Sequence, residues 1–278
     1  MGTLFHTIVR ETGSELQLMQ QLGYDAITFG NHDFDYYPDG LAQSIRSAIK
    51  QVGKLPPIIA SNLEFSQSDS MDDDLQALWN EGVIKPYVVL RKAGLKIGVF
   101  GMLGYKASDV AANAKPLTFR DPIITAKKMV KLLKQQEKVD LVILMSHGGI
   151  LADDSSPLGW RGDDIDLITQ VKGIDIIVGG HSHTPLYQPI NQQGRLVLQA
   201  GSEMRFIGEL GFDVRQGQIT DYHYQLHPIN DSLAGDPKVI QMVEHFKQQV
   251  GDLYLHAKGY DFDQPLAQIA QDLSRTYD

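Results

Sequence analysis

The feature that most constrains this chain is a series of short apolar runs, several ending in a glycine-rich or polar cluster, that alternate with longer segments of helical period. The runs at 26–29, 58–61, 87–90, 96–100, 141–145, 174–178, 196–199 and 209–214 predict strands. Several are apolar at nearly every position, as in Leu141-Val142-Ile143-Leu144-Met145, and this predicts strands buried on both faces. Helical spacing predicts helices over 11–22, 39–52, 122–136, 163–171 and 236–250. The alternation predicts an α/β layered domain. Asp121 before Pro122 has the pattern of an N-cap followed by proline at the first helical position, and Gly251 predicts a glycine stop after the helix over 236–250. The Ser- and Asp-rich stretches at 64–74 and 152–162 predict loops. Beyond Lys258 the pattern changes to a polar, Pro-containing stretch and then a short helical segment over 266–277.

Composition narrows the classes of function. A chain of 278 residues that is 42% hydrophobic can bury a sizeable core, as one large domain or two small ones. The net charge of -9, with no Lys/Arg-rich block, argues against a non-specific grip on polymeric nucleic acid. With no cysteine, a soft metal can be held only by imidazole and oxygen ligands. No apolar run approaches the roughly 20 residues of a membrane span, and Met1 to Arg10 has no basic region followed by an apolar one.

Three strands are predicted to deliver polar clusters at their carboxyl ends, where open α/β sheets place binding crevices. The clusters are Gly30-Asn31-His32-Asp33, Ser146-His147-Gly148-Gly149 and Gly179-Gly180-His181-Ser182-His183. The glycines let the chain turn sharply and approach a ligand without a Cβ in the way. Imidazoles from His147, His181 and His183 suit Zn, Mn, Fe, Co or Ni, and the amide oxygen of Asn31 adds a hard donor. A lone histidine at a strand end is more often a hydrogen-bonded residue than a ligand, and the convergence of several is what argues for a metal site. His181 and His183 lie two apart and would point the same way if extended. His6, His223, His227, His245 and His256 lack partners at ligand spacing and read as ordinary surface or packed residues.

The run from Gly23 to Asp35, with Ser146-His147-Gly148-Gly149 and the segment from Gly173 to Thr184, resembles the calcineurin-like metallophosphoesterases, and more narrowly the bacterial 5′-nucleotidase and UDP-sugar hydrolase family. The resemblance implies a four-layer α/β/β/α sandwich over 1–257, with 258–278 a truncated linker towards a C-terminal nucleotide-binding domain. It implies two divalent ions, Zn, Mn, Co or Fe, at one edge of the paired sheets, where activated water attacks phosphorus in line. By motif position, Asn31, His147 and His181 would hold one ion and His183 would belong to the other. Asn31 and His32 would contact the phosphate, and His32, oriented by Asp35, would donate to a phosphoryl or leaving-group oxygen. Asp33 is a second candidate partner for His32, with an equal reading as a turn residue bonded to its own backbone. Arg205-Phe206 and the loop over 153–160 are expected to border the site.

The resemblance also implies two aspartate-bearing segments, an Asp-x-His motif and a Gly-Asp motif, and neither occurs upstream of Asn31. The first strand-helix unit is therefore expected to be missing. One ion rather than two, and chain-to-chain pairing at the exposed sheet edge, follow from that expectation. The substrate implied is a small phosphate ester or nucleotide, and the location is the periplasm or cell surface by analogy with the family. The alternatives are a non-catalytic remnant that binds metal or a phosphate-bearing ligand, another metallophosphoesterase such as a cyclic-nucleotide or bis-phosphate hydrolase, and a purely structural α/β domain.

Overall fold

The strand Leu141–His147 occupies the middle of a six-stranded sheet, seen in a computed structural model that describes residues 4–270. Across the sheet the order is Ile190–Gln192, Arg195–Leu198, Ile176–Val178, Leu141–His147, Leu95–Leu103 and Tyr87–Lys92. The four inner strands are parallel, in the registers Ile97 with Leu141, Ile176 with Ile143, and Ile176 with Leu196. Their carboxyl ends therefore share one edge, and His147 stands at that edge. The outer strands are antiparallel additions closed by tight turns at Ala93-Gly94 and Gln193-Gly194, where φ is positive at both central residues.

One face of this sheet is covered by the helices Pro122–Gln135 and Asp163–Gln170. Met129, Leu133 and Ile168 pack there against Phe100, Leu144, Ile177 and Val197. The first of these helices starts as its sequence predicts, since the Asp121 carboxylate accepts from the Ile124 amide at 2.8 Å and Pro122 occupies the first turn.

The other face carries a second, broken layer of strands. Ile58 and Ile59 show the layering within two residues. Ile58 packs with Ile45 and Ala48 of the helix Tyr37–Val52, and Ile59 turns the opposite way onto Ile97, Val99 and Leu141 of the central sheet. Ile58–Ile59 pairs in parallel with Ile84–Lys85 and by a single bridge with Ile27. Further along the same face lies the hairpin Phe206–Arg215 with Gln218–Pro228, which buries Phe212, Val214 and Ile219 against the sheet. Between these pieces the central strand is incompletely covered: Ile143 and Met145 are only half-buried, although Leu144 is 0% exposed.

Several expectations are corrected. The run 26–29 forms a single bridge at Ile27 rather than a strand, with Thr28 Oγ1 donating to the Ile59 carbonyl. The helix expected over 11–22 is two, Val9–Thr12 and Ser14–Gln21, because the chain turns left-handed at Gly13. The strand expected over 209–214 is half of a long hairpin whose second strand the apolar runs do not mark. Gly251 is not a left-handed stop, since its φ is −55° and the chain runs on as a π-helical turn over Gly251–Leu255. The short helices Asp73–Asn80 and Tyr105–Val110 fall outside the expected elements. Residues 266–270 are not helical, and 271–277 lie outside the described residues. Among the described residues, no helix is long and apolar enough to cross a membrane.

Candidate metal and phosphate site

The first cluster is built on a short 3-10 turn, Asn31–Phe34. Phe34, 0% exposed, anchors it edge-on between Phe29 and Phe119, with centroids 5.9 and 5.6 Å away. The Asp33 carboxylate accepts from the Gly30 amide at 2.6 Å, and the Asp33 amide donates back to the Gly30 carbonyl at 3.2 Å. Burial pushes the Asp33 carboxyl up to about 6 against the opposing pull of that amide. Asp33 thus bonds its own backbone, as the turn reading has it. The turn leaves Asn31 buried and facing the end of the central strand.

His147 arrives from that strand end. Its ring lies so close to Gly30 and Gly180 that a Cβ on Gly30 would sit 2.7 Å from Cε1, and one on Gly180 would sit 3.1 Å from Nδ1. At Gly30 a Cβ could be accommodated only by moving the ring, and at Gly180 the ring would have to yield slightly. His147 Nε2 lies 2.9 Å from Asn31 Oδ1, and His181 Nδ1 lies 3.2 Å from the same oxygen. The two imidazoles meet edge to face with centroids 5.2 Å apart. Burial, and then the neighbouring His181, push His147 down to about 4, and burial also lowers His181 against the pull of Asp163. Both rings are therefore neutral near pH 7, the state in which imidazole nitrogen offers a lone pair.

His181 and His183 sit in a loop that is not extended. Both have left-handed backbone, with φ of 72° and 57°. The two side chains therefore do not follow a strand's alternation. Beneath the loops lies Asp164, 0% exposed, at the start of the helix Asp163–Gln170. It accepts from Ser146 Oγ at 2.5 Å, and burial pushes it up to about 7.

His32 lies across the cleft mouth, exposed, with Nδ1 3.1 Å from Asp35 Oδ2 and 3.2 Å from Oδ1. Asn113 Nδ2 donates to the Asp35 carbonyl at 3.0 Å, which ties this turn to the segment Ala112–Ala114. An open cleft of about 370 Å³ joins the parts, lined by Asn31, His32, His147, His181 and His183 with Glu15 and the apolar Leu16, Met19 and Ile27. It is also lined by His6, which sequence spacing left aside. His6 stacks on Tyr36 with centroids 4.9 Å apart and places Nε2 3.9 Å from Asp35 Oδ2. No local signal marked it, because its partners lie about 30 residues away in the chain. Arg205 and the loop over 153–160 do not line the cleft, and Arg205 pairs with Glu203 at 2.7 Å.

The donor set is of a kind that suits a divalent cation. Two neutral imidazole nitrogens within 2.9 and 3.2 Å of one amide oxygen match the N and O preferences of such an ion. Among the described residues no three His, Asp or Glu side chains converge at metal-binding geometry.

Comparison with known proteins bears on the family and the fold. The trifunctional nucleotide phosphoesterase protein YfkN of Bacillus subtilis is 28% identical over 89% of this chain and 18% of its own length. An apyrase of Tabanus yao is 30% identical over 93% of this chain and 44% of its own. The chain spans less than half the length of each. Among solved structures, a 5′-nucleotidase precursor from Thermus thermophilus superposes with a TM-score of 0.71 at 24% identity, covering 91% of this chain and 48% of that one. The YfkN structure gives 0.67 at 21% identity, covering 94% of this chain and 82% of that one. The family description "Calcineurin-like phosphoesterase" matches residues 6–185. With its mixed α/β sheet and its three glycine-histidine clusters gathered at one edge, the chain belongs to the calcineurin-like phosphoesterase family.

Proposed function

We propose that the cleft binds the phosphate of a small ester, most simply a 5′-nucleotide, and hydrolyses it with the help of a divalent cation. The observation that carries the reading is the meeting of Asn31 Oδ1, His147 Nε2 and His181 Nδ1 within 3.2 Å, beside the His32–Asp35 pair. A cation held by those three groups would polarise a phosphoryl oxygen and offset developing negative charge. Asp35 engages Nδ1 of His32, which leaves Nε2 to donate a proton to the ester oxygen. His183 lies in the same cleft and is the group available to a second ion. The names 5′-nucleotidase and nucleotide phosphoesterase among the relatives support a nucleotide as substrate, and the similarity to a 5′-nucleotidase precursor supports an exported location.

The test is phosphate release from AMP, and release of UMP with glucose 1-phosphate from UDP-glucose, with added Mn²⁺ or Zn²⁺, beside His32→Ala. Release that depends on metal and falls in the variant supports hydrolysis, and release that is unchanged in His32→Ala contradicts it. A second reading, retention of a cation or phosphate without turnover, is favoured by the lack of three converging His, Asp or Glu side chains among the described residues. Metal binding without phosphate release would establish it. The half-buried Ile143 and Met145 and the 42% exposed Val178 also support pairing of this face with a second copy, which sedimentation at rising concentration would reveal.

A further inference from the structure

The geometry points to Gln199 as a positioning residue that holds the His181–His183 loop in its metal-ready shape, an inference that rests on the cation reading above. Both histidines have left-handed backbone, which a residue with a Cβ avoids unless its surroundings impose it. Gln199 supplies the constraint. It follows the strand Arg195–Leu198 and is 1% exposed. Its Nε2 donates to the Gly180 carbonyl at 3.2 Å, on the near side of His181. Its Oε1 accepts from the Thr184 amide at 2.7 Å, just past His183, and from Ser182 Oγ at 3.1 Å, between the two histidines.

One side chain therefore fastens the loop before, between and after its two candidate ligands. The amide can sit only one way round, because a backbone N–H can only donate and a carbonyl can only accept. Ser182 Oγ also accepts from the Ile150 amide at 3.0 Å, so the clamp reaches the segment that follows His147-Gly148-Gly149. Gln199 forms no hydrogen bond to either imidazole in this network and acts through the loop. This is the position from which an outer partner fixes ligand orientation.

The test compares Gln199→Met, which keeps the length and removes all three hydrogen bonds, with Gln199→Glu, which keeps the two accepted at Oε1. Leu133→Ala, in the 0% exposed helix-side core, serves as a destabilised control. Hydrogen exchange over residues 179–186 and the Kd for Mn²⁺ are measured on the full chain. Gln199→Met is expected to speed exchange in that segment and weaken Mn²⁺ binding about 10- to 100-fold. Gln199→Glu should recover part of both, and Leu133→Ala should lower Tm without either effect. Unchanged exchange and affinity in Gln199→Met, or the same losses in Leu133→Ala, would overturn the inference. If the wild-type chain takes up no Mn²⁺, the cation reading fails, and exchange alone decides whether Gln199 constrains the loop. Should Gln199→Met not fold, Gln199→Leu, which also removes all three hydrogen bonds, takes its place: faster exchange over 179–186 supports the inference, and exchange and Mn²⁺ affinity both equal to wild type overturn it.

Discussion

Replacing Asp164 by asparagine should make the stability of this chain less sensitive to pH, with a calculable sign. Asp164 is 0% exposed beneath the histidine loops, and burial raises its carboxyl from 3.8 to about 7. The native state therefore keeps a proton on Asp164 up to about pH 7, whereas an unfolded carboxylate loses it near pH 4. Between those values the native state binds more protons than the unfolded state, so this group's contribution to stability falls as pH rises and the penalty is complete above pH 7. A displacement from 3.8 to about 7 corresponds to a penalty of about 4 kcal/mol at most. An asparagine there would keep an oxygen to accept from Ser146 Oγ and would carry no charge. Asp164→Asn should therefore match wild type near pH 4 and exceed it increasingly towards pH 8. Asp33, raised to about 6, and His147, lowered to about 4, titrate in both proteins and cancel in the difference. Urea unfolding at several pH values gives the comparison. A difference that stays constant from pH 4 to pH 8 would refute the reasoning.

Three further outcomes follow from the packing and the site. Gly30→Ala places a Cβ 2.7 Å from the His147 ring and should displace it, weakening Mn²⁺ affinity by about tenfold or more in a calorimetric titration while costing about 1–3 kcal/mol of stability. Phe34→Ala removes the anchor of the Asn31 turn and should cost about 3–5 kcal/mol in urea unfolding, since the ring is 0% exposed and touches Phe29 and Phe119. His32→Ala should slow phosphate release about 10²- to 10⁴-fold and leave Mn²⁺ affinity close to wild type, because its ring pairs with Asp35 rather than with Asn31.

What the sequence made legible was whatever rests on local pattern. The apolar run over 141–145 announced the central strand, although Ile143 and Met145 on one face are only half-buried, and Asp121-Pro122 announced a helix start with the observed cap. Short-range pattern failed where the structure depends on distant partners. The residues at 26–29 have strand composition yet form one bridge, because pairing depends on neighbours elsewhere in the chain. Gln216-Gly217 carries a two-residue turn with positive φ at both positions, a signal that could have revealed the strand Gln218–Pro228. In the site, the identity of Asn31, His147 and His181 as neighbours was readable from three glycine-rich clusters, although the first follows a single bridge rather than a strand. The left-handed backbone at His181 and His183 was not, because it is held by Gln199, which lies just past the strand Arg195–Leu198. His6 joined the cleft through its stacking on Tyr36, a contact between residues far apart in the chain.

The most direct test of the account is a calorimetric titration of Mn²⁺ into the full chain and into His147→Ala. If Asn31, His147 and His181 form a cation site, the wild-type chain shows saturable binding that is lost or strongly weakened in the variant. Binding of equal strength in both proteins, or none in wild type, would contradict the claim that these three groups are held together to carry a metal ion.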